Sequence, residues 1–278
     1  MSRLLALVAV AALTATACNS NYDRYRLRFQ AAQTIATPNG PVTFAVGPNN
    51  RVYYAELRTN ALHYVDRNRV VHDLFTTQDK PDSLAVDHHG VVYIAARTRK
   101  HRLTVNAYRS GNPEVVWHGP TTHSPVHLAI TSEGELVVGV GDEVLELQPT
   151  HKVISRGWAD PVIAAGRSER IWVADNEPPG GKERVARGRE TNHAKRNRFA
   201  SVLPPFTNPS DATVINDEIL LCSRTHHKVY RLHIGLDEVA RRRSFVGRLV
   251  CDRDIGSLTD GSVITAQTSV IYRYPPRR

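Results

Sequence analysis

The sequence predicts an all-β fold, a six-bladed β-propeller closed by an N-terminal strand, and three observations carry that expectation. A strand rich in β-branched and aromatic residues recurs six times: Arg51-Val-Tyr-Tyr-Ala-Glu56, Val91-Val-Tyr-Ile-Ala-Ala96, Glu135-Leu-Val-Val-Gly-Val140, Arg170-Ile-Trp-Val-Ala-Asp175, Glu218-Ile-Leu-Leu-Cys-Ser223 and Ser262-Val-Ile-Thr-Ala-Gln267. These copies begin 40, 44, 35, 48 and 44 residues apart, close to the repeat of roughly 40–50 residues that a propeller blade needs. A turn and a shorter apolar run precede each copy, as Leu128-Ala-Ile130 and Thr131 to Gly134 do in the third, which makes the unit a hairpin. Finally, Pro41, Pro81, Pro125 and Pro209 lie three residues ahead of the first-strand run, and Pro161 one place later in its blade. Proline suits the start of a strand, where its missing N–H costs no ladder bond. Blade six has Asp252 there. An antiparallel sandwich also has many short strands but would not repeat turn, strand and proline in phase.

Met1-Ser-Arg3, the apolar run Leu4 to Leu13 and the small residues Ala15-Thr-Ala17 form an export signal over residues 1–17. Ten helical residues cover about 15 Å against a hydrocarbon core of about 30 Å, so this is no membrane span. Cys18 follows the cleavage point and resembles the acylated cysteine of a bacterial lipobox, although Ala15 is a weak substitute for its large residue. Plain cleavage leaving a free Cys18 is the competing outcome. Acylation would make the protein an extracytoplasmic, membrane-anchored lipoprotein, tethered without a spanning helix.

Residues 18–24 form the tether and 25–278 the propeller. Tyr25-Arg-Leu-Arg-Phe29 alternates like a strand. The C-terminus supplies only Ile255 to Leu258, Ser262 to Gln267 and Val270 to Tyr274, so a strand from Tyr25–Ile35 is expected to complete blade six and remove its bare edge. Outer strands are legible at Ala61 to Val65, Val70 to Leu74, Arg102 to Val105 and Glu114 to Trp117, while Tyr53, Tyr93 and Trp172 are expected between blades. Glu177 to Phe199 interrupts blade four with Pro178-Pro-Gly-Gly181 and a basic run, as a loop or part of a binding mouth. Arg241 to Arg243 is expected on an outer strand or turn.

About 260 residues remain after cleavage, enough for one all-β domain, and a monomer is expected. The formal net charge is +9, but the basic residues are spread over all blades and the chain is exported, which argues against nucleic acid. Anionic lipid, wall polymer or acidic glycan suits the charge equally. Cys222 and Cys251 fall near one rim of neighbouring blades. A disulfide and two buried thiols are both open.

The loops entering the innermost strands and leaving the second strands share one face of a propeller. The residues there include Glu56, Asp175 and Gln267, followed one place on by Arg97, Asn176 and Arg224. A polar cluster on a concave mouth is the default binding site. His123, with its counterpart Trp158, should reach the same mouth, where an imidazole beside Glu56 or Asp175 would serve as a general base.

The run His123-x-x-x-x-Leu128-Ala-x-x-x-x-Gly134-x-Leu136-x-x-x-x-Gly141-Asp142 resembles the histidine-centred segment of the quinoprotein glucose/sorbosone dehydrogenases. Phe44 to Tyr64, Gly157 to Gly181 and Asp254 to Tyr274 are similar to that family's first, fourth and last blades. The resemblance implies pyrroloquinoline quinone and calcium as cofactors, a sugar substrate, and His123 as the base taking a proton from the anomeric hydroxyl. The departures are Ala159 and Asp160 where the family has its quinone-contacting arginine and asparagine, Pro125 and Val126 in place of glycines, and Lys182 in the calcium loop. A tricarboxylate quinone set against Asp160 without its arginine would be repelled. Two further readings stand beside it: a propeller that binds a sugar or polymer without redox chemistry, and a metal-dependent lactonase whose site Glu56, Asp175 and Asn176 would imitate.

Overall fold

The structure, a computed structural model, describes residues 28–109, 112–165, 170–174, 184–189, 200–201, 209–215, 218–223, 225–234, 240–247 and 249–277. The expected signal segment and tether, with Cys18, and Asp175, Asn176, Lys182 and Arg224 lie outside these residues. Among the described residues the strands form six antiparallel sheets of four, with the first strand innermost in blades one to five and Ile255–Ser257 innermost in blade six. The recurring second strands are Val52–Glu56, Val92–Arg97, Leu136–Val140, Arg170–Ala174, Glu218–Ser223 and Val263–Gln267, each within one residue of its expected bounds.

Blade six is completed from the N-terminus, because Gln33–Ala36 pairs antiparallel with Val270–Tyr274, Gln33 opposite Arg273 and Ala36 opposite Ile271. The closing strand therefore lies later than the alternation at Tyr25 to Phe29 suggests. Phe29 instead forms a single bridge to Pro276 and is buried against Leu249, Cys251 and Tyr274, so it anchors the approach to the strand. A second correction concerns the basic stretch after Gly181. Arg184–Arg189 is the third strand of blade four, with Ala186 opposite Val173, and not a loop. Arg241 to Arg243 falls in the outermost strand of blade five, as expected.

Packing runs from each blade to the next. Tyr53 of blade one is buried with Leu84, Val86 and Ile94 of blade two, and Trp172 of blade four with Ile219 and Leu221 of blade five. Each such side chain removed from water contributes about 1.5–3 kcal/mol. One column shows why the second strands look alike. Their fifth positions are Ala55, Ala95, Gly139, Ala174, Cys222 and Ala266, all small. A Cβ at Gly139 would stand 2.4 Å from the Pro161 carbonyl oxygen, so blade four's backbone passes directly over that slot. In blade five the slot holds Cys222, which is disulfide-bonded to Cys251 on the segment leading into blade six, with 5.6 Å between Cα atoms. The bond covalently staples two neighbouring blades across 29 residues of chain.

Candidate functional site

The first strands surround an axial channel of about 280 Å³, lined by one stretch from each blade. Two residues beyond the markers Pro41, Pro81, Pro125, Pro209 and Asp252 stand Thr43, Ser83, His127, Asp211 and Asp254, and all five line the channel. Thr43, Ser83, His127 and Asp211 lie opposite Ala55, Ala95, Gly139 and Cys222, and because side chains alternate along a strand, this shared register brings them to the same side of their sheets. In blade four, where the proline comes one place later, the equivalent position opposite Ala174 is Val162.

This ring also ties the blades together. The Leu128 N–H donates to Ser83 Oγ (3.0 Å), the Ile255 N–H to Asp211 Oδ2 (2.8 Å) and the Phe44 N–H to Asp254 Oδ2 (2.9 Å), so in each case the ring residue of one blade accepts from the next. The last of these joins blade six to blade one. Asp211 Oδ1 lies 3.9 Å from His127 Nδ1, and Asp254 Oδ1 lies 3.9 Å from Arg253 Nε. Asp211 keeps 19 % of its side chain exposed, but only to the narrow channel. Loss of hydration, and then the charge of Asp254, hold its carboxyl well above the ordinary aspartate range, against the Ile255 and Ala212 N–H groups and Arg253.

Nearer the mouth, Asp82 meets Arg97 Nε at 2.7 Å. The contact is an ion pair without hydrogen-bond alignment. Burial raises the Asp82 carboxyl while Arg97, then Arg253 and Lys80, pull it down. Arg97 also donates from Nη1 to the His123 carbonyl (3.0 Å) and from Nη2 to the Ser124 carbonyl, and so clamps the loop entering blade three.

The residues expected at the mouth divide accordingly. Arg97 reaches the channel wall through Asp82. His123 is exposed on the rim, its ring 4.2 Å from that of His101, and not beside Glu56. Glu56 is buried in its own blade, accepting from the Asn39 N–H (3.0 Å) and the Thr59 hydroxyl (2.7 Å). Trp158, expected as the mouth counterpart of His123, is 3 % exposed, donates to Ser155 Oγ (3.0 Å) and packs with Ile163 and Val173, because its large ring fills the gap between blades three and four. Gln267 is half-buried at the turn into the last strand. Sequence reasoning missed His127, Asp82, Asp211, Arg253 and Asp254, although the proline offset would have found the ring.

Pyrroloquinoline quinone fits the described channel poorly. Its three carboxylates would meet Asp82, Asp211 and Asp254, while Arg97 is already committed to Asp82 and two carbonyls. Asp160 stands at the bend into blade four, where its N–H donates to the Gly141 carbonyl (2.9 Å). For calcium, no group of three or more His, Cys, Asp or Glu among the described residues is placed to hold a metal ion.

No family model and no curated protein matches the chain. Solved structures do. The pyrroloquinoline-quinone-bound aldose sugar dehydrogenase from Streptomyces coelicolor superposes with a TM-score of 0.67 at 13 % identity, over 90 % of this chain and 98 % of that one. A gluconolactonase from Xanthomonas campestris gives 0.67 at 12 % identity, over 88 % and 89 % of the two chains. Virginiamycin B lyase from Staphylococcus aureus gives 0.59 at 15 % identity, over 89 % of each. Proteins of such different chemistry on one scaffold establish the β-propeller fold and leave function to the site itself.

Proposed function

We propose that this protein is exported, anchored by acylation of Cys18, and binds a neutral, sugar-like ligand in its axial channel without a quinone. The observation that carries this reading is the composition of the channel wall. Thr43, Ser83 and His127 supply groups that both donate and accept, and Asp82, Asp211 and Asp254 face Arg97 and Arg253. Three acids against two guanidinium groups leave no surplus of positive charge for a trianion, and the mixed donors and acceptors suit hydroxyls. Arg97 serves as a positioning residue for the rim, where His123 and Gln267 would contact the outer part of the ligand. Glu56 shapes that rim from behind.

The test is titration of the mature protein with a panel of aldoses, aldonolactones and short oligosaccharides, followed by ligand-observed NMR. A saturable signal that weakens in Asp82→Asn is expected. A protein silent to every sugar, yet reducing a dye when given quinone, calcium and an aldose, would favour the dehydrogenase reading. Acylation is checked separately: labelled palmitate should mark the protein and Cys18→Ala should abolish the label.

A further inference from the structure

The face opposite the mouth carries a second built feature. Blade one's outer hairpin turns at residues 66–70, and Arg67 and Arg69 on it are exposed. The chain continues directly into Val70 and Val71, which are 50 % and 44 % exposed, on the outermost strand of the blade. The turn is held by Asp66, whose Oδ1 accepts from the Asn68 N–H (2.8 Å) and the Val70 N–H (2.9 Å), while Oδ2 faces His72 Nε2 at 3.1 Å. Its acid is thus occupied within the turn.

The arginines are placed by neutral partners. Arg67 Nε donates to the Asn49 carbonyl (2.9 Å) and Arg69 Nη2 to Gln33 Oε1 (2.8 Å), and neither has an ion pair among the described residues. Gln33 belongs to the closing strand and sits opposite Arg273, so the same edge spans blades one and six. Between them opens a cleft of about 260 Å³, with Ile35, Val52, Val65 and Ile264 lining it and Arg67, Arg69 and Arg273 around it; Asp260 is paired with Arg273. The chain also enters the fold at this face, through Arg28, whose carbonyl accepts from the Arg277 N–H (2.7 Å). Cys18 is ten residues earlier, a reach of at most about 35 Å.

We propose that this edge, the 66–71 hairpin with the cleft between blades six and one, is a seat for a membrane surface bearing anionic phospholipids. Val70 and Val71 enter the interface while Arg67 and Arg69 meet phosphates, and the axial mouth opens away from the bilayer. Exposed valines beside cations favour a lipid surface over an acidic glycan, which would use the charges and leave the valines wet. The contact is one-sided, because on the same face the turn between the first two strands of blade three presents Glu133 and Glu135. The orientation of the mouth rests on the acylation reading only for which surface is met; the binding itself does not require the acyl chain.

The experiment uses the full mature chain with Cys18→Ser, hence unacylated, sedimented with phosphatidylglycerol/phosphatidylcholine vesicles and with pure phosphatidylcholine vesicles. Binding is expected to the anionic vesicles alone and to fall with salt. Arg67→Ser with Arg69→Ser should weaken it about thirtyfold, and Val70→Ser with Val71→Ser about tenfold. Arg99→Ser with Lys100→Ser, on the mouth side, should leave it unchanged. Equal loss from the mouth-side pair would show undirected attraction of a basic protein, and full binding by the valine pair would show an electrostatic surface without insertion; either result overturns the proposal. Since acylation plays no part in this assay, its failure is separate from failure of the palmitate labelling.

Discussion

Glu56, at the end of a second strand, and Asp254, at the start of a first strand, are both buried carboxylates, 5 % and 8 % exposed. Glu56 spends both oxygens inside blade one, on the Asn39 N–H and the Thr59 hydroxyl. Asp254 gives one oxygen to the Phe44 N–H of the neighbouring blade and lines the axis. The rim and the ring therefore use the same chemistry for different ends. At the rim, Glu56 closes loops of a single blade. In the ring, polar groups fasten one blade to the next while facing the space a ligand would fill, so the ring links stability to binding.

The largest effect should come from opening the circle of blades. Deleting residues up to Ala36 exposes the edge of Val270–Tyr274 and uncovers Phe29's neighbours Leu249 and Tyr274. Loss of cooperative thermal unfolding is expected, and a truncated protein melting like the mature one would refute the closure. Next comes the staple between blades five and six. Replacing Cys222 and Cys251 by serine should cost about 3.5 kcal/mol for a loop of this length, read from denaturant unfolding. Thiol counting on the unfolded, unreduced protein should find neither cysteine free.

The comparison itself is sharpened by paired variants. Asp254→Ala leaves a buried Phe44 N–H without its acceptor and should cost about 1–3 kcal/mol, together with most sugar affinity. Glu56→Ala should cost about as much, but leave affinity within about twofold, because its partners are local. Equal losses of affinity from the two would erase the distinction between rim and ring.

The smallest effect is a pH dependence. Asp211 has its carboxyl raised in the folded protein above the ordinary 3.8, so between that value and its raised pKa the folded state binds more protons than the unfolded one. Its contribution is then full below the unfolded value and is lost as pH rises through the folded one. Asp211→Asn keeps an acceptor for the Ile255 N–H and removes the repulsion with Asp254. Its melting temperature should exceed that of the wild type at neutral pH and converge with it towards pH 4. A constant offset across pH would place the cause elsewhere.

Much of this architecture was legible in the chain. Strand patterns such as Val52–Glu56 and the prolines at strand starts report local chemistry, and local chemistry repeats with the blades. Counting strands gives the closing strand, which falls at the end of the expected stretch Tyr25–Ile35, while Phe29's role is not legible because its burial depends on Leu249 and Tyr274, more than 200 residues away. The site was harder to find. His123 drew notice because loop residues carry function, yet it lies exposed on the rim while His127, inside a strand, lines the channel. Polar residues within an apolar strand were the better signal, because a buried polar group needs a reason. The roles of Asp211 and Asp254 depend on which blade follows which, and only closure of the circle puts Asp254 against Phe44.

The most direct test sets the two histidines against each other, with aldoses and pyrroloquinoline quinone titrated in parallel into the mature protein, His123→Ala and His127→Ala. The account predicts saturable aldose binding that survives in His123→Ala and falls at least tenfold in His127→Ala, with no quinone bound at micromolar concentration. Quinone saturating the unmodified protein, with dye reduction abolished by His123→Ala and untouched by His127→Ala, would contradict it.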